Sequence, residues 1–438
     1  MIVLKRKIAD YIKKFYTENT NKILLIDGAR QVGKSYVIRQ VCKEQYKNYI
    51  EINLLEDSES ERNFEYVKTT KDFYSLVSAK YGNKLNNKFD TIIFLDEIQV
   101  YPHLITMLKF LNQDNRYQYI CSGSLLGVTL ANTASIPMGA IEIKKMYPLD
   151  FEEFLMANGF NAFDEIYENF KEKKTLNKSI HNILLDSFKD YLIVGGLPEC
   201  VKTFAESQNI KTIRTLQTNI TNFYINDATK YDTENKLETK LIYEYIPSLM
   251  ENKKNRVVIK NIKDKPGYTF KYFEKSFKYL TSSGIAINVN AISNPKFPLI
   301  ESAKKTLLKL YLNDVGLLTN ILYKENITAI KNDSMSVNLG NVYETVVAEE
   351  LHSRYENLYY YDNKKNGEVD FLIDDYNNLS ILPIEVKSGK NFTTHSAIDK
   401  FVDSEEYSVK QGLILSNDIE IREQNNKIYL PIYFSMYL

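Results

Sequence analysis

Residues 22–36 constrain the fold of this chain more than any other stretch. A short apolar run at 23–26 leads directly into Gly28-Ala29-Arg30-Gln31-Val32-Gly33-Lys34-Ser35, which fits G-x-x-x-x-G-K-[ST] at every fixed position. A helix-like run follows at 36–46. A strand, a glycine-rich turn and a helix in this order predict a phosphate-binding loop.

The residue types at the fixed positions of this loop have a chemical reason. Gly28 and Gly33 can take backbone angles that are closed to residues with a Cβ, so the loop N–H groups can turn inward around a polyphosphate. Lys34 places a charge on the outer phosphates, and the Ser35 hydroxyl is suited to ligate Mg²⁺. The helix N-terminus adds the positive end of its dipole. We predict that ATP contacts Gly28, Ala29, Arg30, Gln31, Val32, Gly33, Lys34, Ser35 and Tyr36; the alternative is a glycine-rich turn without a ligand.

Composition restricts the classes of protein that remain. A chain of 438 residues is expected to form two to four domains, and 44% hydrophobic with 26% charged residues is typical of a soluble globular protein. Lys+Arg and Asp+Glu both number 56, so nucleic-acid affinity would need a local patch. The scattered three cysteines and four histidines argue against disulfide and zinc frameworks. With no secretory signal pattern and no run of about 18 apolar residues, we expect a cytoplasmic protein with no membrane partner.

Five short apolar runs are separated by helix-sized segments. They lie at 23–26, 49–53, 91–95, 118–121 and 140–143. Runs this apolar, joined in this way, predict a parallel sheet covered on both faces, and thus an α/β fold. The spacing of apolar residues at 6–16 predicts a helix packed before the sheet.

An acidic pair, Asp96-Glu97, follows the third run. Carboxylates at the end of a buried strand cost desolvation energy unless a cation or a partner offsets it. We predict that Asp96 holds the Mg²⁺ carried by Ser35 and that Glu97 is the general base, so Lys34 and Glu97 are predicted catalytic residues. The alternative is a helix N-cap with a solvated neighbour. A glutamate at this place favours ATP hydrolysis over a small-molecule kinase.

The fourth run ends in Cys121-Ser122-Gly123-Ser124. In a sheet of this type, the strand next to the phosphate loop offers a polar side chain to the γ-phosphate or to the attacking water. Ser122 or Ser124 is suited to this, and we include Ser122 among the predicted nucleotide-binding residues. A plain Ser-Gly turn is the alternative.

The middle of the chain is helical and then basic. Helical apolar spacing covers 151–245, broken at 195–198, and predicts either a lid over nucleotide or a spacer. Residues 253–278 carry a net charge of +7 and suggest a small winged helix, with a helix at 272–281 and a strand at 285–289. We predict DNA or RNA backbone binding here, with a solvated face as the alternative. The nine cations are Lys253, Lys254, Arg256, Lys260, Lys263, Lys265, Lys271, Lys275 and Lys278.

The C-terminal third has the order of acids found in Mg²⁺-dependent nucleases. An amphipathic helix at 340–355 bears Glu344, and Asp370 and Glu385 are spaced for a two-stranded hairpin. Carboxylates held together call for a divalent cation, and oxygen ligands select Mg²⁺ or Mn²⁺. We predict that Asp370 and Glu385 bind the metal and that Glu344 completes the shell. Lys387, on the face of Glu385, is the predicted catalytic lysine.

These acids match the PD-(D/E)xK pattern, an acid on a helix followed by Asp and then E-x-K. Two alternatives remain. The E-x-K stretch is also typical of an ordinary surface ladder, and domains of this fold also serve as docking platforms without cleaving anything.

Nine motifs together resemble bacterial and archaeal AAA+-type ATPases with a C-terminal restriction-endonuclease-like domain of long-unassigned function. They are GARQVGKS (28–35), FLDEIQ (94–99), CSGS (121–124), YPLDFEEFL (147–155), YLIVGGLPE (191–199), KLYLNDVGLL (309–318), GNVYETVVAEEL (340–351), GEVDFLI (367–373) and PIEVKSG (383–389). Where that family usually has a Gly-Arg pair, this chain has Met138-Gly139-Ala140, so an arginine supplied in trans from that loop is in doubt. Arg30 is a candidate substitute, and the alternative is that Arg30 only braces the phosphate loop.

We therefore expect four parts: an AAA+-type P-loop domain (1–150), a helical lid (151–245), a winged-helix-like segment (246–300) and a restriction-endonuclease-like domain (301–438). The expected function is ATP hydrolysis coupled to a nuclease-like part that engages DNA, with ATP and Mg²⁺ as cofactors. The alternative is a nucleotide-dependent switch that binds a protein partner, with the C-terminal fold inactive. Homo-oligomer formation stays open.

Overall fold

The five predicted strands form one parallel sheet in the computed structural model of the chain. Its strands are β1 (Ile23–Asp27), β2 (Asn48–Asn53), β3 (Thr91–Asp96), β4 (Gln118–Gly123) and β5 (Ile141–Lys145). They lie in the order β2-β3-β4-β1-β5, and all neighbours are parallel. The prediction from the apolar runs is confirmed, because each run overlaps one strand of this sheet.

The structure describes residues 3–18, 21–124, 137, 139–231, 236–251, 256–264, 267–334, 337–363, 367–388, 396–404, 406–407 and 409–438. The chain divides into two compact units. The N-terminal unit contains Lys5–Pro148 and Ser282–Gly284, and the C-terminal unit contains Met1–Leu4, Leu149–Thr281 and Ile285–Leu438. Met138, Lys253, Lys254 and Lys265 of the predictions lie outside the described residues.

Helices cover the sheet of the N-terminal unit. They are α1 (Lys7–Thr17), α2 (Lys34–Gln45), α3 (Leu54–Glu59), α4 (Thr70–Tyr81) and α5 (Pro102–Asp114), with 3₁₀ turns at Asn63–Tyr66, Gly82–Lys84 and Ile98–Val100. Strands β1 and β3 are buried along their whole length. Because both faces of these strands are covered, their sequences are apolar throughout rather than alternating. The predicted N-terminal helix is α1, which buries Ile12 and Phe15.

The C-terminal unit begins with helices. These are α6 (Phe151–Ala157), α7 (Phe163–Lys171), α8 (Lys178–Val194), α9 (Pro198–Ser207), α10 (Ile210–Tyr231), α11 (Lys236–Glu251), α12 (Ile259–Ile262) and α13 (Phe270–Ser282). The break predicted at 195–198 separates α8 from α9. Helices α14 (Val315–Tyr323), α15 (Thr328–Lys331), α16 (Gly340–His352) and α17 (Ser396–Val402) follow, with 3₁₀ turns at Leu299–Ser302 and Ile432–Tyr437.

A mixed sheet of eight strands forms the second half of this unit. Its strands are β6 (Ala286–Ile292), β7 (Ala303–Leu312), β8 (Leu358–Asn363), β9 (Gly367–Asp375), β10 (Ser380–Val386), β11 (Gly412–Ser416), β12 (Arg422–Gln424) and β13 (Lys427–Pro431), in the order β12-β13-β11-β10-β9-β8-β6-β7. Strands β9 and β10 are antiparallel neighbours, which confirms the predicted hairpin. After α17, β11 pairs parallel to β10.

Strands β6 and β7 tie the middle of the chain to the C-terminal sheet. The helix and the strand predicted at 272–281 and 285–289 overlap α13 and β6. Strand β6 pairs with β7 and with β8, so it belongs to the same sheet as the hairpin β9–β10. The predicted domain boundaries at 150, 245 and 300 stay predictions. None of the helices that the structure describes has the length and apolar character needed to cross a membrane.

Candidate functional site

The predicted phosphate-binding loop connects β1 to α2. Helix α2 begins at Lys34, directly after Gly33, which has a φ of 91° and so takes a backbone conformation that favours glycine. A Cβ on Gly28 would lie 2.2 Å from the carbonyl oxygen of Met146, so no side chain fits there. The Met146 N–H donates to the carbonyl of Asp27 at 2.7 Å, which fixes this close approach.

Lys34 lies inside the loop. Its side chain is buried, and Nζ donates to the carbonyl oxygens of Gly28 (2.9 Å) and Ala29 (2.8 Å). Burial lowers the pKa of Lys34, and the nearby carboxylates, led by Glu97, oppose this shift. The ammonium group thus rests on loop carbonyls, contacts that a phosphate oxygen is chemically suited to replace.

Ser35 and Asp96 meet, as the sequence predicts for a magnesium site. Ser35 Oγ donates to Asp96 Oδ1 at 3.0 Å, and the Ser122 hydroxyl donates to the same oxygen. Burial raises the pKa of Asp96, and these two hydroxyl groups partly offset the shift. A desolvated carboxylate beside a hydroxyl is a hard oxygen donor set, so these residues fit Mg²⁺.

Glu97 is held by polar neighbours at the end of β3. Its backbone is left-handed, with a φ of 56°, and its Oε2 accepts hydrogen bonds from Gln99 Nε2 (2.5 Å) and Ser124 Oγ (3.1 Å). Arg30 Nε in turn donates to Ser124 Oγ at 3.1 Å. The structure therefore gives the two serines different contacts, since Ser122 meets Asp96 and Ser124 meets Glu97.

Two residues around the loop were missed by sequence reasoning. Gln99 contacts both Glu97 and Ser124. It is the last residue of the motif at 94–99, but the sequence analysis assigned it no role. Arg6 is buried and donates to the carbonyls of Val32 (3.0 Å) and Tyr147 (2.7 Å). Its contacts are 26 and 141 residues away in sequence, so no local pattern indicates them.

The remaining loop residues differ in exposure. Val32 is fully buried, whereas Tyr36 is about half exposed in the first turn of α2. Ala140 stands where the resembling family usually has an arginine. It directly precedes β5, and its N–H donates to the carbonyl of Pro137. Arg30 is consequently the loop arginine whose contacts the structure describes near Glu97.

The basic segment is partly neutralised. Cations of this segment lie within 4 Å of carboxylates in four pairs: Arg256–Asp362, Lys260–Asp264, Lys263–Glu238 and Lys278–Glu274. The net charge of +7 already counts Asp264 and Glu274, so only Glu238 and Asp362, which lie outside the segment, weaken the local field further. Nucleic-acid binding by residues 253–278 stays a prediction.

The hairpin of the C-terminal unit brings Asp370 and Glu385 together. Phe371 of β9 lies opposite Ile384 of β10, and one further step of this antiparallel register places Asp370 opposite Glu385. Asp370 Oδ2 accepts the N–H of Val386 at 2.8 Å. Glu385 Oε1 lies 2.6 Å from Lys387 Nζ, in the E-x-K arrangement that the sequence predicts.

Glu344 comes from α16 and has two neighbours on β7. The Tyr311 hydroxyl donates to Glu344 Oε2 at 2.9 Å, and Lys309 Nζ lies 3.8 Å from the same oxygen. Lys309 also lies 2.5 Å from Glu368 Oε1. Sequence reasoning placed Lys309 and Tyr311 in the motif at 309–318 but gave them no role at this site, because β7 precedes α16 by about 30 residues. We call Lys309, Tyr311, Glu344, Glu368, Asp370, Glu385 and Lys387 the acidic cluster.

The electrostatics of the acidic cluster indicate charge crowding. Burial raises the pKa of Glu344, Asp370 and Glu385, and repulsion among the carboxylates adds to the shift. Glu385 Oε2 is buried and has no hydrogen-bond partner among the described residues. A divalent cation between Asp370 and Glu385 would satisfy both features.

The three predicted ligands do not form a ready-made metal site. Within the part of the chain that the structure describes, no three His, Cys, Asp or Glu side chains are grouped to hold a metal ion. Asp370 and Glu385 fit a cation as a pair, whereas Glu344 already contacts Tyr311 and Lys309. The role of Glu344 as a third ligand stays a prediction.

Comparison with known families supports the prediction of a P-loop ATPase domain in the N-terminal unit. Residues 20–155 match a family described as "AAA domain". Residues 185–328 and 339–434 match two families described as domains of unknown function, DUF8612 and DUF4143. The first match covers the phosphate loop and all five strands of the parallel sheet. The class of this part is therefore a P-loop ATPase domain of the AAA type.

Relatives span much of the chain at low identity. It is similar to the uncharacterized protein MJ1544 of Methanocaldococcus jannaschii, with 26% identity over 358 residues, which is 81% of this chain and 72% of that protein. An uncharacterized protein of Haemophilus influenzae is 25% identical over 166 residues, 35% of this chain and 39% of the relative.

Solved structures give weaker likenesses. The Walker-type ATPase PABY2304 of Pyrococcus abyssi aligns with a TM-score of 0.45 and 13% identity, over 73% of this chain and 96% of that one. The RuvB Holliday junction branch migration motor of Thermotoga maritima aligns with a TM-score of 0.31 and 11% identity, over 65% and 89% of the two chains.

Proposed function

We propose that this chain hydrolyses ATP at the loop of its AAA domain. The observation that carries the proposal is the meeting of Ser35, Asp96 and Glu97 beside a complete phosphate-binding loop. Loop N–H groups and Lys34 bind the phosphates of ATP. Mg²⁺, held by Ser35 and Asp96, would neutralise charge on those phosphates.

Glu97 supplies the base in this proposal. Hydrogen bonds from Gln99 and Ser124 fix its carboxylate at the end of β3. From there Glu97 orients a water molecule and accepts its proton as the water attacks the γ-phosphorus. Arg30, joined to Ser124, brings a positive charge of the same chain next to this base.

We further propose that residues 301–438 form a restriction-endonuclease-like domain that engages DNA. The support is the chain order in which helix α16 carries Glu344 and β8, β9, β10, α17 and β11 follow. Asp370, Glu385 and Lys387 lie together on its hairpin. In this proposal Lys387 orients the attacking water or stabilises the phosphate as a DNA strand is cut. Nucleotide hydrolysis would regulate this engagement, in a cytoplasmic protein.

A second candidate is a nucleotide-dependent switch that binds a protein partner. It is favoured by the ion pairing of the acidic cluster, in which Lys309 and Lys387 already contact carboxylates. On this alternative the C-terminal fold is a scaffold without catalysis. DNA affinity that falls steeply with salt supports the first proposal, and a partner retained in one nucleotide state without DNA binding supports the second.

The test is an ATPase assay with and without duplex and single-stranded DNA, in which the same DNA is analysed for cuts. We expect turnover that needs Mg²⁺, and its loss in Lys34→Ala. The matched control is Lys13→Ala, which removes an exposed lysine of α1 that pairs with Glu44. Unchanged turnover in Lys34→Ala would contradict the proposed site.

A further inference from the structure

Lys309 is the least expected member of the acidic cluster. Its side chain is 1% exposed on β7, and its ammonium lies 2.5 Å from Glu368 Oε1 and 3.8 Å from Glu344 Oε2. The Tyr360 ring centroid lies 5.0 Å away. Two carboxylates beside this ammonium group offset the cost of burying its charge, so a buried lysine stays charged inside the cluster.

The carboxylates of the cluster fall into two pairs. Glu344 and Glu368 both contact Lys309, and Tyr311 donates to Glu344. Asp370 and Glu385 lie together on the hairpin, where Lys387 pairs with Glu385 Oε1. Each pair thus has one lysine beside it, and each contains buried atoms without a hydrogen-bond partner among the described residues: Lys309 Nζ and Glu368 Oε1 in the first pair, and Glu385 Oε2 in the second.

The formal charges support a single ion. Four carboxylates and the ammonium groups of Lys309 and Lys387 sum to −2, which one divalent cation balances. Two divalent cations would leave a desolvated net charge of +2, which is costly in a buried site.

We propose that the ammonium group of Lys309 is a fixed cation that takes the place of a second divalent ion, so that the acidic cluster binds one divalent cation between Asp370 and Glu385. This inference rests on the proposed metal-binding role of the hairpin. It makes Lys309 a positioning residue that holds Glu344 and Glu368 away from the bound ion. It also gives Glu344 a role other than that of a third ligand.

The experiment counts Mn²⁺ bound to the nucleotide-free full chain, by electron paramagnetic resonance of the free ion. All proteins carry Asp96→Asn, so that the phosphate loop does not contribute. We expect one ion per chain, none in Glu385→Gln, and two in Lys309→Met, where Glu344 and Glu368 are left without their lysine. Lys427→Met is the matched control, because it removes another buried lysine, paired with Asp399, and should keep one ion.

Two ions in the starting protein would overturn the inference, as would a folded Lys309→Met that keeps one ion with unchanged affinity. Circular dichroism reports whether Lys309→Met folds. If it does not, Glu368→Gln decides: one retained ion supports the assignment, and loss of binding places Glu368 on the metal and overturns it. No bound ion in the starting protein contradicts the proposed metal site itself, and the single-ion assignment with it.

Discussion

At the scale of single residues, the loop site depends on a chain of contacts that begins at Arg30 and ends at Glu97. Arg30 donates to Ser124, and Ser124 donates to Glu97, which also accepts from Gln99. Glu97 has a left-handed backbone, and its carboxylate accepts hydrogen bonds from two polar side chains, one of which is itself held by Arg30. Such support holds a general base at one place before the substrate arrives.

We expect Glu97→Gln to lower the kcat of ATP hydrolysis by about 10²- to 10⁴-fold, the usual contribution of a general base. Glutamine keeps the shape and the hydrogen-bonding capacity of the side chain but does not accept the proton of the water. ATP affinity, measured by calorimetry, should stay within about threefold, because Glu97 is not among the predicted phosphate ligands. Glu142→Gln on β5 is the control. Equal loss of binding and turnover would instead assign Glu97 a structural role.

At the scale of elements, one glycine turn joins three helices of the C-terminal unit. Gly195 ends α8, and the N–H of Gly196 donates to Asp314 Oδ2 at 2.7 Å. Asp314 also caps α14 through the N–H of Leu317, and its burial raises its pKa to about 6. A Cβ on Gly195 would lie 2.2 Å from Asp314 Oδ1. The motifs at 191–199 and 309–318 thus contact each other through Asp314, which links the turn after α8 to the start of α14.

We expect Gly195→Ala to destabilise the chain by about 1–3 kcal/mol more than Gly159→Ala, measured by chemical unfolding. Both glycines have a positive φ, 72° and 81°, so both substitutions strain the backbone. A Cβ on Gly159 meets no atom within 4 Å among the described residues, so the difference isolates the clash with Asp314. Equal destabilisation of the two variants would mean that the turn adjusts to the added Cβ, so that the contacts of Asp314 do not require glycine at position 195.

The helices, strands and the phosphate loop were easier to predict from the sequence than the contacts between residues far apart in the chain. The parallel strands and the loop were predictable, because buried strands and the loop glycines are set by local patterns. The hairpin was predictable from the spacing of Asp370 and Glu385. Lys309 was not, because its partners Glu344 and Glu368 are fixed by the packing of α16 and the pairing of β6 with β7 and β8.

At the scale of the whole molecule, the two candidate sites lie in separate units, each with its own sheet. The proposed nuclease step and ATP hydrolysis should therefore be separable by mutation, even if nucleotide regulates DNA engagement.

We expect Glu385→Ala to abolish Mg²⁺-dependent nicking of DNA while ATPase activity stays within about twofold of wild type, because the substitution removes a proposed metal ligand from the C-terminal unit alone. Glu423→Ala is the matched control, since Glu423 lies on β12 of the same sheet and pairs with exposed Lys173. Nicking is followed on supercoiled plasmid with Mg²⁺ and with Mn²⁺, and phosphate release is followed in the same tubes. If wild type leaves every tested DNA intact with both metals, the nuclease proposal fails while the ATPase stands. If Glu385→Ala loses phosphate release together with nicking, the two sites are energetically coupled and the separation into independent units is wrong.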